Sequence, residues 1–401
     1  MVKYIKKRWR REPNADIRRL YLATALRCPG FLLPVIVLYN SEVIGLSFAQ
    51  FMFVEAFFAV SMAVLEIPTG YFSDIWQRRT TMIVSAMFWA AAYIWMSVAY
   101  GLFDALGVQL LMALGASFSS GTLQAMLYEY LAEEKREHEY RKAEGRRFAL
   151  GFYGLAFTAP AAGWLYSLDV RLAVILTLGL HLASLLVSLH LREPVRLRRG
   201  IEHNAFYDML KTMRYALYGH REIAAIILLS AIMLCGTKLI LWIQQPYYQA
   251  AHIPLELYGW LSAGAFLLVA INSQLVHRLE HWMKPVPLLG LIMLTEIGLT
   301  LLTGVHVAAV VAPLLLVGQA LYGLANPVIT DIIIQRSDPA RRATILSAQS
   351  LSSQFAFTLV SVPYGMLSDS GTPGHALLGL SCLLTLCGVP AWLYLRRKVP
   401  D

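Results

Sequence analysis

About a dozen apolar stretches, each near 20 residues long, alternate with short loops along this chain, and the basic residues gather in every second loop. A bilayer core about 30 Å thick needs roughly 20 helical residues at about 1.5 Å rise each. The pattern therefore predicts membrane-spanning helices near 20–39, 46–70, 80–100, 106–130, 147–166, 171–191, 223–246, 255–276, 285–304, 307–332, 344–367 and 374–395. Composition agrees: 57% hydrophobic and 15% charged residues over 401 positions is more apolar than a soluble globule of this length can hide.

The charges give an orientation. Of 34 Lys and Arg, all but Arg27, Arg171 and Lys238 lie in the N-terminal arm, the loops after the even-numbered helices and the C-terminal tail. Cytoplasmic loops carry such an excess, so both termini are expected in the cytoplasm. The net charge of +9 then serves topology and attraction to anionic lipid, and no nucleic-acid partner is expected. The basic arm Lys3–Arg11 is not expected to introduce a cleaved signal, because the first apolar stretch carries Arg27, runs to full spanning length and has no small-residue cleavage site.

Little points to enzyme chemistry. Cys28, Cys235, Cys382 and Cys387 sit in apolar stretches at spacings that fit neither zinc nor a redox pair. His277 and His281 are one turn apart but have no thiolate or carboxylate cluster around them, and neither a phosphate-binding loop nor a nucleophile elbow is present. No cofactor and no metal are expected.

The longest loop, about 192–222, divides the spans six and six and opens with Arg192, Arg196, Arg198 and Arg199. Between Phe206 and Leu217, apolar residues recur at helical spacing, which predicts a short interfacial helix. The expected organisation is a first bundle at 1–195, a linker at 196–219 and a second bundle at 220–401. An offset of 202 residues maps Gly121 and Glu129 onto Gly323 and Asp331, and Ser117, Ser120 and Gln124 onto Gln319, Tyr322 and Asn326. Each trio forms one polar stripe on an apolar helix. Such a stripe either glues helices together or lines a cavity, and matching stripes in two halves favour a shared central cavity.

The stretch from Glu66 to Thr80 resembles the signature loop of the major facilitator superfamily, Gly-x-x-x-Asp-x-x-x-Arg followed by a basic residue, with Gly70, Asp74, Arg78 and Arg79 at the matching positions. The resemblance implies an all-α membrane protein of twelve transmembrane helices in two six-helix bundles. It also implies a secondary transporter that exposes its site to each side in turn. Asp74 would sit near the N-terminal end of the eleventh helix, around Thr344, and Arg78 or Arg79 would reach Glu129, as a cytoplasmic latch between the halves. Gly70 would let helices approach closely. The alternative is charge that only sets topology. In the second half, only a pairing of Arg278 with Asp331 is expected. Gly154–Gly163 resembles, in part, the Gly-Pro-x-x-Gly-Gly motif of the exporting, antiporter branch. Glu66–Gly70, Tyr128–Leu131 and Arg342–Ser347 look like a bacterial subgroup of the inner membrane.

A Lys or Arg at the centre of a spanning helix costs about 2.5–3.5 kcal/mol on insertion scales, so it needs a partner or a purpose. Arg27 and Lys238 lie about 18 Å and 14 Å inside the external ends of the first and seventh helices at 1.5 Å per residue. Cys28-Pro29-Gly30 predicts a kink beside Arg27, with freed carbonyls facing the path. In the family the first, fourth, seventh and tenth helices line that path, so two cations there would attract an anion. The alternative is internal pairing, Arg27 with Glu55 and Lys238 with Glu296. Glu55 is the candidate proton carrier. Trp242, one turn from Lys238, either stacks on substrate or belongs to the interfacial aromatic belt.

The expectation is thus a monomeric, proton-coupled transporter of a small organic anion or an anionic chelate such as a carboxylate siderophore. Its substrate contacts are Arg27, Lys238, Ser120, Gln124, Gln319, Tyr322, Asn326 and Trp242. The rivals are multidrug efflux and a membrane sensor or scaffold that transports nothing.

Overall fold

The computed structural model describes residues 13–195, 221–279, 282–337 and 342–398, and all regular structure among them is helical. The basic arm Lys3–Arg11 and the interfacial helix expected between Phe206 and Leu217 lie outside the described residues. In chain order the helices are α1 (Pro13–Leu26, resuming as short turns over Leu33–Val35, Ile36–Tyr39 and Asn40–Ile44), α2 (Phe48–Ile75), α3 (Arg78–Met96), α4 (Gly101–Glu133), α5 (Tyr140–Thr158 with Ala161–Leu168) and α6 (Leu172–Leu189). They continue with α7 (Arg221–Ala250), α8 (Leu255–Leu279), α9 (Pro285–Val305), α10 (Pro313–Ala320 with Tyr322–Arg336), α11 (Arg342–Asp369) and α12 (Pro373–Leu383, resuming over Val389–Lys398).

Among the described residues nine helices are long and apolar enough to cross a membrane, or ten if the two parts of α5, bent by 45°, form one span. The two that fall short do so for local reasons. The first part of α3 carries Arg78 and Arg79. The 14-residue α1 stops at Leu26, just before Pro29, which has no N–H to continue a helix. The predicted span 20–39 therefore crosses a break, and helix begins nearer the chain start than the hydropathy indicated.

Local signals set the helix starts. Before α2, the Ser47 hydroxyl accepts from the Gln50 N–H at 3.3 Å and the Gln50 amide oxygen accepts from the Ser47 N–H at 2.9 Å, a reciprocal cap. The α1 break is seated on α5: a Cβ on Gly30 would lie 1.7 Å from Thr158 Oγ1.

Two helix pairs make the largest contacts between the first six helices and the last six, α2 against α11 and α5 against α8, and the turns after the α1 break add contacts to α7 and α8. At the end remote from Arg78, α5 and α8 cross so closely that a Cβ on Gly163 would lie 2.1 Å from the Leu255 carbonyl oxygen, and one on Gly259 2.1 Å from that of Ala159. Gly154–Gly163 thus has a packing role, since Gly154 also rests on the Ala25 carbonyl of α1. At the opposite, basic end the picture differs. Gly70 and Gly121 are exposed, with open space where a Cβ would stand. The close approach expected at Gly70 is absent because the surface it presents is unopposed.

Candidate functional site

A cavity of about 400 Å³ opens between the halves, and its polar wall comes from the second half. Lys238 and Thr237 project from α7, Gln319, Tyr322 and Asn326 from α10, and Gln349, Ser350, Ser353 and Gln354 from α11. The opposite wall is apolar: Leu33 of the broken α1, Phe152 and Leu155 of α5, and Phe266 and Val269 of α8. The Lys238 ammonium stands 3.9 Å from the centroid of the Phe357 ring, a cation–π contact. Gln319 is oriented by Gln244, whose side-chain N–H donates to its oxygen at 2.7 Å.

Four predicted positions therefore line one cavity: Lys238, Gln319, Tyr322 and Asn326. The α11 residues were missed although their signal was present, since Gln349 and Ser353, and Ser350 and Gln354, repeat at i, i+4 within an apolar helix. The internal repeat drew attention to the fourth and tenth helices instead.

Arg27 departs from the expectation. The α1 break turns its guanidinium into the first bundle, where Nε donates to Ser184 Oγ at 3.2 Å, Nη1 to Ser85 Oγ at 3.3 Å and Nη2 to the Met82 carbonyl at 3.1 Å. It does not line the cavity, and Glu55 does not neutralise it. The groups freed by the break are not left to the path either. From α7 the Gln245 side-chain oxygen accepts from the Val37 and Leu38 N–H groups at 2.7 and 3.3 Å, while its nitrogen donates to the Leu33 carbonyl at 2.9 Å. This second-half side chain thereby clamps the first half at the far end.

The Glu55 carboxylate on α2 accepts from the Gln109 amide of α4 at 2.7 Å and is within electrostatic range of the Lys238 ammonium across the interface. Glu296 does not meet Lys238. It is fully buried on α9 against Gly236, and among the described residues neither of its oxygens has a hydrogen-bond partner. Lys238 is two residues beyond Gly236, so α7 points them to different faces.

Trp242 also lies outside the cavity lining. Its ring meets Phe51 edge-on at 5.3 Å between centroids, closing the far end, because the neighbouring turn of α7 faces α2 there. Ser120 and Gln124 do not line the cavity, and the exposed Gln124 amide points to Glu144 at 3.5 Å. Of their α4 stripe, Ser117 is buried and donates to the Met62 carbonyl at 3.4 Å, while Gln124 is exposed.

The signature loop forms contacts inside the first half. Arg78 Nη2 lies 3.6 Å from the buried Glu129, and Nη1 donates to Ser73 Oγ at 2.7 Å. Arg79 Nη2 donates to the Leu189 carbonyl at 2.7 Å. Glu193, which the sequence did not single out, accepts from the Arg78 and Arg79 N–H groups at 2.8 Å each and caps α3. The side chains of Asp74 and Arg278 lie outside the described residues; Asp331 accepts from Gln335 at 2.5 Å. Among the described residues no three His, Cys, Asp or Glu side chains converge as a metal site would require.

Comparison with known proteins places this architecture. The sequence model of the Major Facilitator Superfamily matches residues 21–361. A D-galactonate transporter of Escherichia coli O6:H1 is 27% identical over 161 residues, 40% of this chain and 36% of that protein, so the match spans about a third of the relative's length. The solved structure of the nucleoside transporter NupG superposes with a TM-score of 0.74 at 14% identity, covering 96% of this chain and 99% of that one. A bacterial homologue of the human lysosomal transporter Spinster, inward-facing and unoccupied, gives 0.74 at 16% identity over 98% and 100%. A D-xylose-proton symporter gives 0.74 at 14% identity over 96% and 97%. At these identities the structural likeness speaks for the fold.

Proposed function

The chain belongs to the Major Facilitator Superfamily of membrane transporters, and from that premise we propose that it carries a small, hydroxylated organic anion together with a proton, by alternating access. The observation that carries this reading is the single ammonium, Lys238, in a cavity whose other polar groups are amides and hydroxyls. One cation balances one carboxylate, and the amides of Gln319, Asn326, Gln349 and Gln354 suit a row of hydroxyl groups. The name of the E. coli relative, a D-galactonate transporter, belongs to that chemical class. A multiply charged chelate of the siderophore type fits less well, because Arg27 is turned away.

Charge balance links the two cargoes. Glu55 is the carboxylate within electrostatic range of Lys238. A substrate carboxylate arriving at Lys238 takes over that role, and a proton on Glu55 then removes the surplus negative charge from a low-dielectric interior. Anion and proton therefore favour each other's binding, which is the requirement for symport. The Gln245 clamp and the Phe51–Trp242 contact close the far end in this conformation. We read the basic end as cytoplasmic, and the protein as a twelve-span monomer of a bacterial inner membrane, with Arg78 and Glu129 as part of its cytoplasmic latch.

A thermal-shift screen of the purified protein tests the substrate class, since a ligand present at about 100 times its Kd stabilises the folded state by about 2.7 kcal/mol. Sugar acids should raise the melting temperature while neutral sugars and lipophilic amines do not. Stabilisation by amines alone would favour the efflux reading, for which the Phe152, Phe266 and Phe357 surfaces are suited. Proteoliposome uptake then tests coupling: a pH gradient should drive accumulation by the parent protein, and Glu55→Gln should keep exchange but lose that drive.

A further inference from the structure

A second cavity, of about 180 Å³, lies at the basic end of the first half, where the start of α1, the end of α4 and the start of α5 meet. Arg18, Arg136, Lys142 and Arg146 line it, against one carboxylate, Glu139. Its floor is apolar, formed by the buried Ile17, Leu131 and Ala143. The connection after α4 turns through Lys135, whose φ of 60° is left-handed, and brings Arg136 back over the notch.

The carboxylates of this region are already engaged. Arg136 donates to Glu139 through Nε at 3.0 Å and Nη2 at 2.8 Å, and to Glu134 through Nη1 at 2.7 Å. The bond from Arg136 holds the Glu139 carboxyl below the usual carboxylate range, so it stays charged and paired at neutral pH. Glu144 is held by Arg147 at 2.6 Å, and Asp16 by Arg19 and Arg192 at 3.0 and 3.4 Å. Arg18, Lys142 and Arg146 are exposed around the mouth and have no ion pair among the described residues.

The depth of the notch matters. The 33-residue α4 is about 50 Å long at 1.5 Å per residue, longer than the roughly 40–45 Å of a bilayer with its headgroups. Its last turns therefore stand at headgroup level. On the membrane side of the three cations, the exposed Leu22 follows Arg18 by one turn of α1, and the half-buried Leu150 follows Arg146 by one turn of α5. Charge above and apolar surface below match an amphiphile.

We infer that this notch binds the phosphodiester headgroup of an anionic membrane phospholipid, with Arg18, Lys142 and Arg146 around the phosphate and an acyl chain along Leu22 and Leu150. The site is separate from the transport cavity and does not depend on the substrate proposed for it. Native mass spectrometry of the full-length protein in detergent, titrated with phosphatidylglycerol or phosphatidylcholine, tests the inference. The anionic lipid should bind more tightly. Changing Arg18, Lys142 and Arg146 to Gln should weaken it by about fivefold per charge removed, leaving phosphatidylcholine binding unchanged. Arg136 is kept, because it folds the connection. If the triple variant does not fold, Arg146→Glu alone should give the larger single-site loss. Equal binding of the two lipids, or phosphatidylglycerol affinity unchanged in the variants, would overturn the inference. So would inorganic phosphate at millimolar concentration displacing the lipid completely, which would reassign the notch to a soluble phosphate.

Discussion

Arg27 and Lys238 lie on the first and seventh helices, counterparts in the two halves, each an isolated cation in an apolar stretch, yet the fold uses them in opposite ways. Arg27 is held by two serines and a carbonyl inside its own bundle. Lys238 faces a cavity, with an aromatic ring beside it and a carboxylate across the interface. The contrast extends to the surroundings. The first half pairs several of its buried polar side chains internally, Glu55 with Gln109, Ser73 with Thr122 and Arg78 with Glu129. The second half turns a row of amides and hydroxyls on α10 and α11 to the cavity. Matching positions in a repeat fix where a side chain sits along a helix, but not which neighbours it meets.

The largest effect should separate the two cations. Lys238→Gln removes a charge-assisted contact of about 1.5–3 kcal/mol and should weaken binding of a sugar-acid ligand roughly 10- to 100-fold by calorimetry. Arg27→Gln should leave that affinity unchanged. Loss of binding in both variants would restore a shared two-cation site.

Gln245→Leu comes next. It deletes three hydrogen bonds between the halves, together about 1–2 kcal/mol at the modest values measured within membranes. A cysteine introduced by Leu38→Cys, in the buried segment that Gln245 holds, should then become more reactive to an impermeant thiol reagent applied from the far side. Unchanged labelling would mean that the aromatic contact alone closes that end.

The reason Arg27 turns inward can be probed at Gly30. A Cβ there collides with Thr158, so Gly30→Ala should lower thermal stability by about 1–3 kcal/mol through overpacking. Adding Thr158→Ala should recover part of the loss, and no recovery would relocate the strain. The smallest effect is expected at Gly70, where Gly70→Ala should leave the melting temperature unchanged because a Cβ would meet open space. Impaired transport in that variant, with stability intact, would show that Gly70 is packed only in the opposite conformation.

Much of the fold was legible in the residues because a membrane enforces a one-dimensional code. Spanning length, loop charge and the Cys28-Pro29-Gly30 break all follow from local chemistry. Gln319, Tyr322 and Asn326 could be read from helical spacing and the internal repeat, Lys238 from the cost of a cation in an apolar span together with the family resemblance, and the overlooked α11 stripe from its spacing. Arg27 and Trp242 could not. Rotation about a helix axis and the choice between two hydrogen-bonding neighbours depend on side chains more than fifty positions away, such as Ser85, Ser184 and Phe51.

By itself, then, the sequence determined that the chain is a bundle of membrane helices with the signature loop of its family and an ionisable pair of helices at its heart. Only the tertiary structure decided that Lys238 lines a cavity within electrostatic range of Glu55 while Arg27 is held by serines, and that Glu296 has no hydrogen-bond partner among the described residues. The physical reason is that hydropathy is a property of a segment, whereas a partner is a property of the space between segments, fixed when helices settle to within a few ångströms of one another.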